Sequence, residues 1–290
     1  MTGAFIAVDW GTSNRRAFRI EDDVVVASER DDRGASLVAA DAYPAEIAGL
    51  RARLGDLPVL MAGMVGSNIG WRAVPYIAAP ATLDAVAHGL ARIDARTMIV
   101  PGVSYSEGDR ADVMRGEEVQ LFGAVAAGLA PADALLCQPG THCKWATMKN
   151  GAIVRFVTAM TGELFALLRT HGLLARQLGG VVEDGPAFRA GVGEGAKRDL
   201  SASLFGIRAS AILGLREDAD AAAFASGLLI GSDVAVRLAE AGGVDVHILA
   251  DAGLGGLYRA AVETLGGTAR IIDSRAAFIA GITRIWNSIA

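Results

Sequence analysis

The residues near the start of the chain that are best suited to chemistry lie in a turn between two apolar runs. The run 6–8 ends at the carboxylate Asp9, and Gly11-Thr12-Ser13-Asn14 follows before apolar and polar residues alternate again. This pattern predicts a strand, a tight polar turn and a second strand. Backbone N–H groups, hydroxyls and a nearby carboxylate together suit a phosphate and its metal ion. An ordinary β-hairpin would show the same pattern.

The same arrangement occurs a second time, in the middle of the chain. The positions that align at one constant offset are Asp9 with Gln138, Gly11 with Gly140, Thr12 with Thr141, and 6–8 with 135–137. We interpret this as an internal duplication in which two turns, one in each lobe, face each other across a cleft and bind the phosphates of a nucleotide. Only the first copy has a carboxylate at the end of its strand, so Asp9 is the predicted ligand of Mg²⁺, directly or through water.

A glycine-rich segment near the end of the chain could bind the base of that nucleotide. Asp251-Ala252-Gly253-Leu254-Gly255-Gly256 follows a predicted buried strand and opens a predicted helix. Glycines at Gly253, Gly255 and Gly256 would allow a flat ring to approach the backbone closely. The spacing differs from the dinucleotide fingerprint. Taken alone, the segment is better explained as a simple strand-to-helix turn, and it gains weight only together with the two phosphate turns.

Three acidic residues in the middle of the chain are candidates for a general base. Phosphoryl transfer needs positioning, charge stabilisation and a carboxylate that accepts the proton of the acceptor hydroxyl. Glu117 and Glu118 fall in the first turn of a predicted helix, where the helix dipole keeps carboxylates ionised. Asp112 lies just upstream. Because acidic residues also favour helix N-termini for structural reasons, the choice among the three stays open.

A glycine-spaced loop, 63–72, is the predicted site for the acceptor substrate. Its Ser67, Asn68, Trp71 and Arg72 could read hydroxyl and carboxylate groups, although a surface loop anchored by its tryptophan is the structural alternative. The candidates for binding a substrate carboxylate are Arg15, Arg72 and Arg115.

Composition narrows the class of protein. The 290 residues are 52% hydrophobic and 20% charged, which is typical of a folded globular chain, and the net charge of −5 with no basic run argues against nucleic acid as a partner. No signal-peptide pattern or run of about 20 apolar residues is present, so we expect a soluble cytoplasmic protein without membrane contact. The oligomeric state stays open. Cys137, His142 and Cys143 are poorly spaced for structural zinc, and buried cysteines are the better interpretation.

The elements that must position these groups alternate between strands and helices. We predict two lobes, 1–131 and 132–290, each a mixed β-sheet flanked by helices, and the last helix could pack back on the first lobe. The predicted elements most open to test are a helix capped by Asp41 and ending at Leu54, a helix over 83–93, a polar loop over 104–112, a helix over 115–129, helices over 200–241 divided near Gly214, a strand over 269–272 and a final helix ending at Trp286.

Taken together, these segments resemble the superfamily of actin-like ATPases and sugar kinases that includes hexokinase, and within it the 2-dehydro-3-deoxygalactonokinase family. The motifs that carry the resemblance are Val8-Asp9-Trp10-Gly11-Thr12-Ser13-Asn14, Met61-Ala62-Gly63-Met64-Val65-Gly66-Ser67-Asn68-Ile69-Gly70-Trp71, Met114-Arg115-Gly116-Glu117-Glu118, Pro139-Gly140-Thr141-His142-Cys143-Lys144-Trp145 and Thr161-Gly162-Glu163-Leu164. Asn14 and Glu163, which lie in these motifs, complete the predicted substrate residues.

The resemblance implies a ribonuclease H-like, actin/hexokinase-type fold and ATP-dependent, Mg²⁺-assisted phosphorylation of the 6-hydroxyl of 2-dehydro-3-deoxy-D-galactonate. It also implies a base at the start of the helix that connects the two phosphate segments. The alternatives are an exopolyphosphatase-like phosphohydrolase, which shares the fold and a Gly-Glu-Glu helix start, and a non-catalytic actin-like assembly protein.

Overall fold

The computed structural model describes residues 3–215 and 217–289. The chain divides into two compact units, the first comprising 1–133, 148–156 and 274–290 and the second comprising 134–147 and 157–273. The final helix therefore belongs to the first unit. The hairpin tip at 148–156 is also grouped with that unit, where Ile153 forms a bridge with Ala81.

The first 133 residues contain strands and helices in alternation. They are β1 (Phe5–Trp10), β2 (Arg15–Glu21), β3 (Val24–Asp31), α1 (Tyr43–Leu54), β4 (Val59–Gly63), β5 (Ile77–Ala78), α2 (Leu83–His88), β6 (Ala91–Asp94), β7 (Thr97–Ile99), β8 (Val103–Glu107), β9 (Arg110–Met114) and α3 (Glu117–Ala126). The elements that follow are β10 (Ala134–Gln138), β11 (Cys143–Lys149), β12 (Ala152–Ala159), α4 (Thr161–Thr170), α5 (Pro186–Gly195), α6 (Leu200–Ile212), α7 (Asp218–Ala241), β13 (Val246–Leu249), α8 (Ala252–Thr264), β14 (Ala269–Ile272) and α9 (Ser274–Asn287).

The two larger sheets share one order over five strands, and the first has β6 as an additional edge strand. The first runs β3-β2-β1-β4-β7-β6 and the second runs β12-β11-β10-β13-β14. In the first sheet, β1, β2 and β3 pair antiparallel on one side, and β10, β11 and β12 are neighbours in the same positions of the second. In both sheets the first of these strands pairs in parallel with a later strand, as β1 does with β4 and β10 with β13. This shared order is what an internal duplication predicts, because the two phosphate turns then join equivalent strands.

Burial explains why these runs form the centres of the sheets. The strand residues Ile6, Val8, Val59 and Met61 are fully buried in one core, which α1 covers with one apolar face. A separate core in the second unit contains residues of β10, β11 and β13 together with faces of α5, α7 and α8. Strands that are buried on both faces read as continuous apolar runs, which is the pattern that the sequence shows before each turn.

Helix α7 is long and apolar enough to cross a membrane by length and composition, and it is the one helix in the described ranges that passes this test. About 67% of its most apolar window is buried inside the protein. Its buried residues include Phe224, Leu228 and Val234, which pack in the cores of the second unit. We therefore assign α7 to the protein core.

Three of the predicted elements are wrong in detail. The predicted loop over 104–112 is an antiparallel hairpin of β8 and β9. The predicted helix over 83–93 ends at His88, because Gly89 follows it and 91–94 pairs with β7 instead. Helix α1 begins after Ala42 without a side-chain cap, so Asp41 is not its N-cap. The predicted strand 269–272 has the observed bounds, and the final helix ends one residue beyond Trp286.

Candidate active site

The first phosphate turn connects β1 to β2 and is supported from behind. Gly11 donates from its backbone N–H to the Asn14 carbonyl at 2.9 Å. The carbonyls of Gly11 and Thr12 accept hydrogen bonds from the backbone of Ala35 and Ser36 at 2.9 and 3.1 Å. These two carbonyls are therefore bonded within the protein. Thr12 and Ser13 are exposed, so they are the residues of the turn that a ligand can reach.

Gly34 makes this support possible. A Cβ at Gly34 would overlap the carbonyl oxygen of Thr12 and the backbone of Ser13. The Ser36 hydroxyl donates a further hydrogen bond to the same Thr12 carbonyl at 2.7 Å. The turn is therefore held in one conformation before any ligand binds, which is the arrangement that favours strong binding of an anion.

Asp9 lies at the end of β1, directly before the turn. Its side chain is 15% exposed, and its Oδ2 lies 3.1 Å from Nη2 of Arg16. Burial raises the pKa of Asp9, the Arg16 guanidinium lowers it in part, and the neighbouring Glu117 carboxylate raises it further. A buried carboxylate with a second carboxylate beside it fits a bound cation, because the cation offsets both negative charges.

Mg²⁺ fits this place only with help from other ligands. Within 3–215 and 217–289 there is no group of three or more His, Cys, Asp or Glu side chains that could hold a metal ion. Mg²⁺ commonly binds one or two carboxylates and takes its remaining oxygens from water and substrate phosphates. Asp9 is the residue that would hold it here, with Glu117 close by.

The start of α3 brings the two candidate glutamates into different environments. The backbone N–H of Arg115 donates to Glu117 Oε2 at 3.0 Å, and that of Gly116 donates to Glu118 Oε2 at 2.7 Å. Glu118 is fully buried and its Oε1 has no hydrogen-bond partner. Burial, with a further contribution from Glu117, raises the pKa of Glu118 to about 8. Glu117 is partly exposed and Glu118 is not, so Glu117 is the one that can reach a substrate.

Asp112, the third candidate base, is placed differently. It lies within β9, and its Oδ1 accepts a hydrogen bond from the next backbone N–H, that of Val113, at 2.8 Å. Its position in a strand separates it from the helix start that holds Glu117 close to Asp9.

The predicted substrate loop follows β4, and half of its predicted residues hold the loop itself. Ser67 is buried and donates from its hydroxyl to the Met64 carbonyl at 2.7 Å. The Trp71 ring stacks on Tyr43 with the ring centroids 5.6 Å apart. These contacts fit the structural alternative for Ser67 and Trp71. Asn68 and Arg72 are exposed, so they are the loop residues that can meet a ligand.

Two of the three candidate arginines are enclosed. Arg15 is 1% exposed, and its guanidinium forms ion pairs with Asp31 at 2.5 Å and Glu46 at 3.0 Å. Arg115 is 8% exposed, donates to the Val74 carbonyl at 2.6 Å and lies over a tyrosine ring. Nε and Nη1 of Arg115 are buried without a hydrogen-bond partner. Arg72 is exposed, with one long hydrogen bond to the Arg92 carbonyl at 3.4 Å.

The second phosphate turn connects β10 to β11 and is supported by the start of α4. A Cβ at Gly162 would overlap the carbonyl oxygen of Gly140 and lie 2.9 Å from the Cα of Thr141. The backbone N–H of Glu163 donates to the Thr141 carbonyl at 2.9 Å. His142 Nε2 lies 2.6 Å from Glu163 Oε2. Glu163, predicted to bind the substrate, is thus joined to the phosphate turn.

The two cysteines that flank this turn are buried and free, as the sequence predicts. Their sulfur atoms lie 3.7 Å apart. Burial raises the pKa of the Cys137 thiol well above its usual value, and the neighbouring Cys143 adds to the effect. Both thiols therefore pack as small core side chains, and His142 bonds to a carboxylate instead of completing a zinc site with them.

The predicted nucleoside segment caps α8. Asp251 Oδ1 accepts a hydrogen bond from the Leu254 N–H at 3.1 Å, and Gly253 is exposed while Gly255 is buried. A cavity of about 460 Å³ lies beside this segment in the second unit. It is lined by Val182, Glu183, Asp184, Ala252, Gly253, Leu254, Gly256, Leu257 and Arg259. Its size is in the range of small-ligand sites.

The sequence analysis missed a buried carboxylate behind the second turn. Asp233 accepts a hydrogen bond from Trp145 Nε1 at 2.8 Å and lies 3.5 Å from the Thr161 hydroxyl. Burial raises the pKa of Asp233, although Trp145 and Arg237 lower it in part. Asp233 is the single charged residue of the run 221–236 in α7. The signal in the sequence that could have identified Asp233 is a single acidic residue within an otherwise uncharged run.

Comparisons with known proteins first define the class of protein by its fold. The chain has the actin/hexokinase-type ATPase fold, as predicted. The activator of the 2-hydroxyisocaproyl-CoA dehydratase from Clostridium difficile, solved with bound ADPNP, superposes with a TM-score of 0.51 over 98% of this chain and 94% of that one. At 10% identity this likeness shows the fold alone.

The family follows from closer relatives. The family model for 2-keto-3-deoxy-galactonokinase matches residues 9–285. The Escherichia coli K12 2-dehydro-3-deoxygalactonokinase is 37% identical over the full length of both chains. A crystal structure from Sinorhizobium meliloti, which provisionally carries the same enzyme name, is 35% identical with a TM-score of 0.91 and covers 98% of this chain and 99% of that one. The chain belongs to the 2-keto-3-deoxy-galactonokinase family.

This membership confirms the resemblance inferred from the motifs. It favours a sugar-acid kinase over the phosphohydrolase and assembly-protein alternatives. The roles of individual residues remain predictions.

Proposed function

We propose that this chain transfers the terminal phosphoryl group of ATP to the 6-hydroxyl of 2-dehydro-3-deoxy-D-galactonate. The observation that carries the proposal, in a chain of this family, is the placement of Asp9 and Glu117 in the first unit. Asp9 lies in β1 beside β4, and Gly63 of β4 packs closely on Gly116, directly before Glu117. The Glu117 carboxylate accordingly raises the pKa of Asp9. One carboxylate directly precedes a phosphate turn and the other begins a helix. This is the pairing that phosphoryl transfer to a hydroxyl requires.

Glu117 is the proposed general base. It accepts the proton of the 6-hydroxyl while that oxygen forms its bond to the γ-phosphorus and the bond from the γ-phosphorus to the leaving oxygen of ADP breaks. Its partial exposure and its proximity to Asp9 support this choice over Asp112 and Glu118. A base in this position contributes about 10²–10⁴-fold to the rate.

Asp9 is the proposed residue for Mg²⁺. When bound, the metal ion neutralises charge on the phosphate oxygens. The first turn supplies donors at Thr12 and Ser13, and the second supplies them at Gly140 and Thr141. Gly253 and the cavity beside it are the proposed site for the nucleoside.

Arg72 and Asn68 are the proposed contacts of the sugar acid. Both are exposed, and the loop that carries them is fixed by the contacts of Ser67 and Trp71. Arg15 is already neutralised by Asp31 and Glu46, which disfavours it as a carboxylate ligand. We propose a cytoplasmic location, since the reaction consumes ATP.

The proposal is tested by ATP consumption with a panel of 2-keto-3-deoxy sugar acids, followed by ³¹P NMR of the product. We expect a new phosphomonoester only with the galactonate epimer or its close analogues. Normal ATP binding without any phosphorylated product would contradict the substrate assignment. Phosphate release from polyphosphate without a sugar acid would instead support a phosphohydrolase.

A further inference from the structure

The His142–Glu163 pair is the feature of the second unit that the proposed roles leave unexplained. The Nε2–Oε2 distance is 2.6 Å, and the two side chains are 48% and 36% exposed. One partner belongs to the second phosphate turn and the other to the first turn of α4. The pair is therefore open to a ligand and sits within the turn itself.

The backbone fixes the pair in position. Gly162 packs directly on Gly140 and Thr141, and the Glu163 N–H donates to the Thr141 carbonyl at 2.9 Å. Glu163 thus reaches the turn by its backbone and by its side chain. A residue that is bonded through both its backbone and its side chain has little conformational entropy left to lose. Glu163 is therefore suited to orient the His142 imidazole.

Charge points to the kind of ligand. An isolated glutamate beside a phosphate turn would repel a polyphosphate, whereas a glutamate paired with an imidazolium carries no net charge. The strand-end position of this turn is the neutral Gln138, and the nearby Lys144 is buried with its Nζ bonded to the Thr158 hydroxyl at 2.7 Å. His142 is thus the exposed basic side chain of the segment 138–145, and it carries a positive charge when both ring nitrogens hold a proton.

The hydrogen bond also decides which ring nitrogen is available. Because Nε2 is bonded to Glu163, Nδ1 is the nitrogen that can meet a ligand. In the imidazolium form both nitrogens donate, so Nε2 binds the carboxylate while Nδ1 donates outward. An N–H donor that carries positive charge makes a stronger hydrogen bond to a phosphate oxygen than a neutral donor does.

We propose that His142, oriented by Glu163, donates a hydrogen bond from Nδ1 to the terminal phosphoryl group of the bound nucleotide. The inference rests on the proposed kinase function and adds to it a residue that reads the γ-phosphate. His142 would distinguish ATP from ADP and stabilise the phosphoryl group during its transfer.

The experiment compares the binding of AMPPNP and ADP by calorimetry in the absence of sugar acid. We expect His142→Gln to weaken AMPPNP binding about 10- to 100-fold, as for the loss of a hydrogen bond to a charged group. ADP binding should weaken much less, because ADP loses no hydrogen bond and meets only the uncompensated Glu163 charge. His171→Gln, at an exposed histidine directly after α4, is the matched control and should change neither affinity. Thermal unfolding of each variant checks that the fold is retained.

Two isosteres separate the proposed contact from a purely structural bond. Asn places an amide nitrogen where Nδ1 lies, and Gln places one where Nε2 lies. We expect His142→Asn to keep AMPPNP affinity within about 5-fold of the wild type, since a single neutral donor replaces a charged one. Better retention in His142→Gln than in His142→Asn would overturn the proposal, because the bond to Glu163 would then be what matters.

Glu163→Gln should reduce AMPPNP affinity less than His142→Gln does, since it removes only the orienting charge. An unchanged ratio of AMPPNP to ADP affinity in His142→Gln would overturn the inference and leave the kinase proposal intact. If the wild-type protein binds neither nucleotide, the proposed function fails first, and the inference fails with it.

Discussion

The two phosphate turns have the same frame and different side chains. Each connects two neighbouring strands at equivalent positions of its sheet, and each is supported by a glycine from another part of its own unit, Gly34 for the first and Gly162 for the second. A Cβ at either glycine would overlap a carbonyl oxygen of its turn. The common feature is therefore a turn whose backbone is fixed by close packing.

The difference lies in the charges beside each turn. The first has Asp9 at its strand end and Glu117 close by, and burial makes the Asp9 charge costly. The second has neutral Gln138 at the same place and the His142–Glu163 pair next to it. An acidic turn suits a metal ion and a turn with an imidazole donor suits a phosphoryl group, so we infer that the two turns share one frame and that their side chains divide the chemistry between them.

The largest expected effect comes from neutralising the acid that distinguishes the first turn. Asp9→Asn should lower kcat by about 10³-fold or more, since a metal ion supplies several kcal/mol of charge stabilisation in such reactions. The fold should be retained, because burial already disfavours the Asp9 charge. Steady-state kinetics at several Mg²⁺ concentrations measure both the loss and any rise in the Mg²⁺ requirement.

Gln138→Asn is the matched control for that variant, since it changes the equivalent position of the second turn without changing a charge. We expect its kcat to stay within a few-fold of the wild type. Comparable losses in both variants would mean that the two strand ends have the same role and that the comparison of the turns fails.

Glu117 and Glu118 provide a test of which carboxylate acts as the base beside the first turn. We expect Glu117→Gln to lower kcat by at least about 10²-fold, as for loss of a general base. Glu118→Gln should cost much less, because Glu118 is buried and, with a pKa of about 8, is mostly protonated at neutral pH. Single-turnover phosphoryl transfer measures both. A larger loss in Glu118→Gln would exclude Glu117 as the base.

The turns and their duplication could be predicted from the sequence because they depend on local signals. Glycines, hydroxyls and apolar runs repeat at one offset, and backbone turn chemistry is set by neighbouring residues. The family motifs predicted the fold and the class of reaction. What the sequence did not reveal is burial: Glu117 and Glu118 are neighbours of the same type, yet only the packing around the helix start makes one accessible and the other not.

Long-range packing also explains the errors. Arg15 and Arg72 looked alike as substrate ligands, but Arg15 meets two carboxylates, Asp31 and Glu46, that are distant in sequence. The polar run 104–112 is an exception, because its error is local. It read as a loop since polar residues favour strands only weakly, whereas β8 and β9 pair with each other in one hairpin and satisfy its backbone.

A smaller effect is expected when the support of either turn is disturbed. Gly34→Ala and Gly162→Ala should each weaken AMPPNP binding by about 10-fold and reduce the free energy of unfolding by about 1–3 kcal/mol, because the added Cβ displaces a turn carbonyl. Calorimetric binding and urea unfolding measure the two quantities. Equal effects would support a common frame for both turns.

Gly206→Ala is the matched control for Gly162→Ala. Gly206 lies in α6 of the same unit, and a Cβ there would meet no atom within 4 Å. Its replacement should stabilise the helix by about 0.5–1 kcal/mol without changing nucleotide affinity. If Gly162→Ala changes nucleotide affinity and stability no more than Gly206→Ala does, Gly162 does not have the proposed supporting role.

The last expected effect is on the pH dependence of stability and concerns two buried acids, Glu118 in the first unit and Asp233 in the second. The folded-state pKa of Glu118, about 8, lies above its usual value of 4.5, so the folded protein retains a proton that the unfolded chain has lost. The contribution of Glu118 to stability is therefore present below about pH 4.5 and falls as the pH rises to about 8, by at most about 1.4 kcal/mol per pH unit. Glu118→Gln should remove this slope, which denaturant unfolding at a series of pH values measures.

Asp233→Asn extends the comparison to the second unit. Burial also raises the pKa of Asp233, so its charge makes the wild-type protein less stable as the pH rises. Asp233→Asn should remove this loss, as Glu118→Gln does in the first unit. The recovery should be smaller than for Glu118→Gln, because Trp145 donates to the carboxylate at 2.8 Å and Arg237 offsets part of its charge, whereas Glu118 Oε1 has no partner. A steeper recovery in Asp233→Asn would show that the second turn, and not the first, has the more costly buried charge behind it.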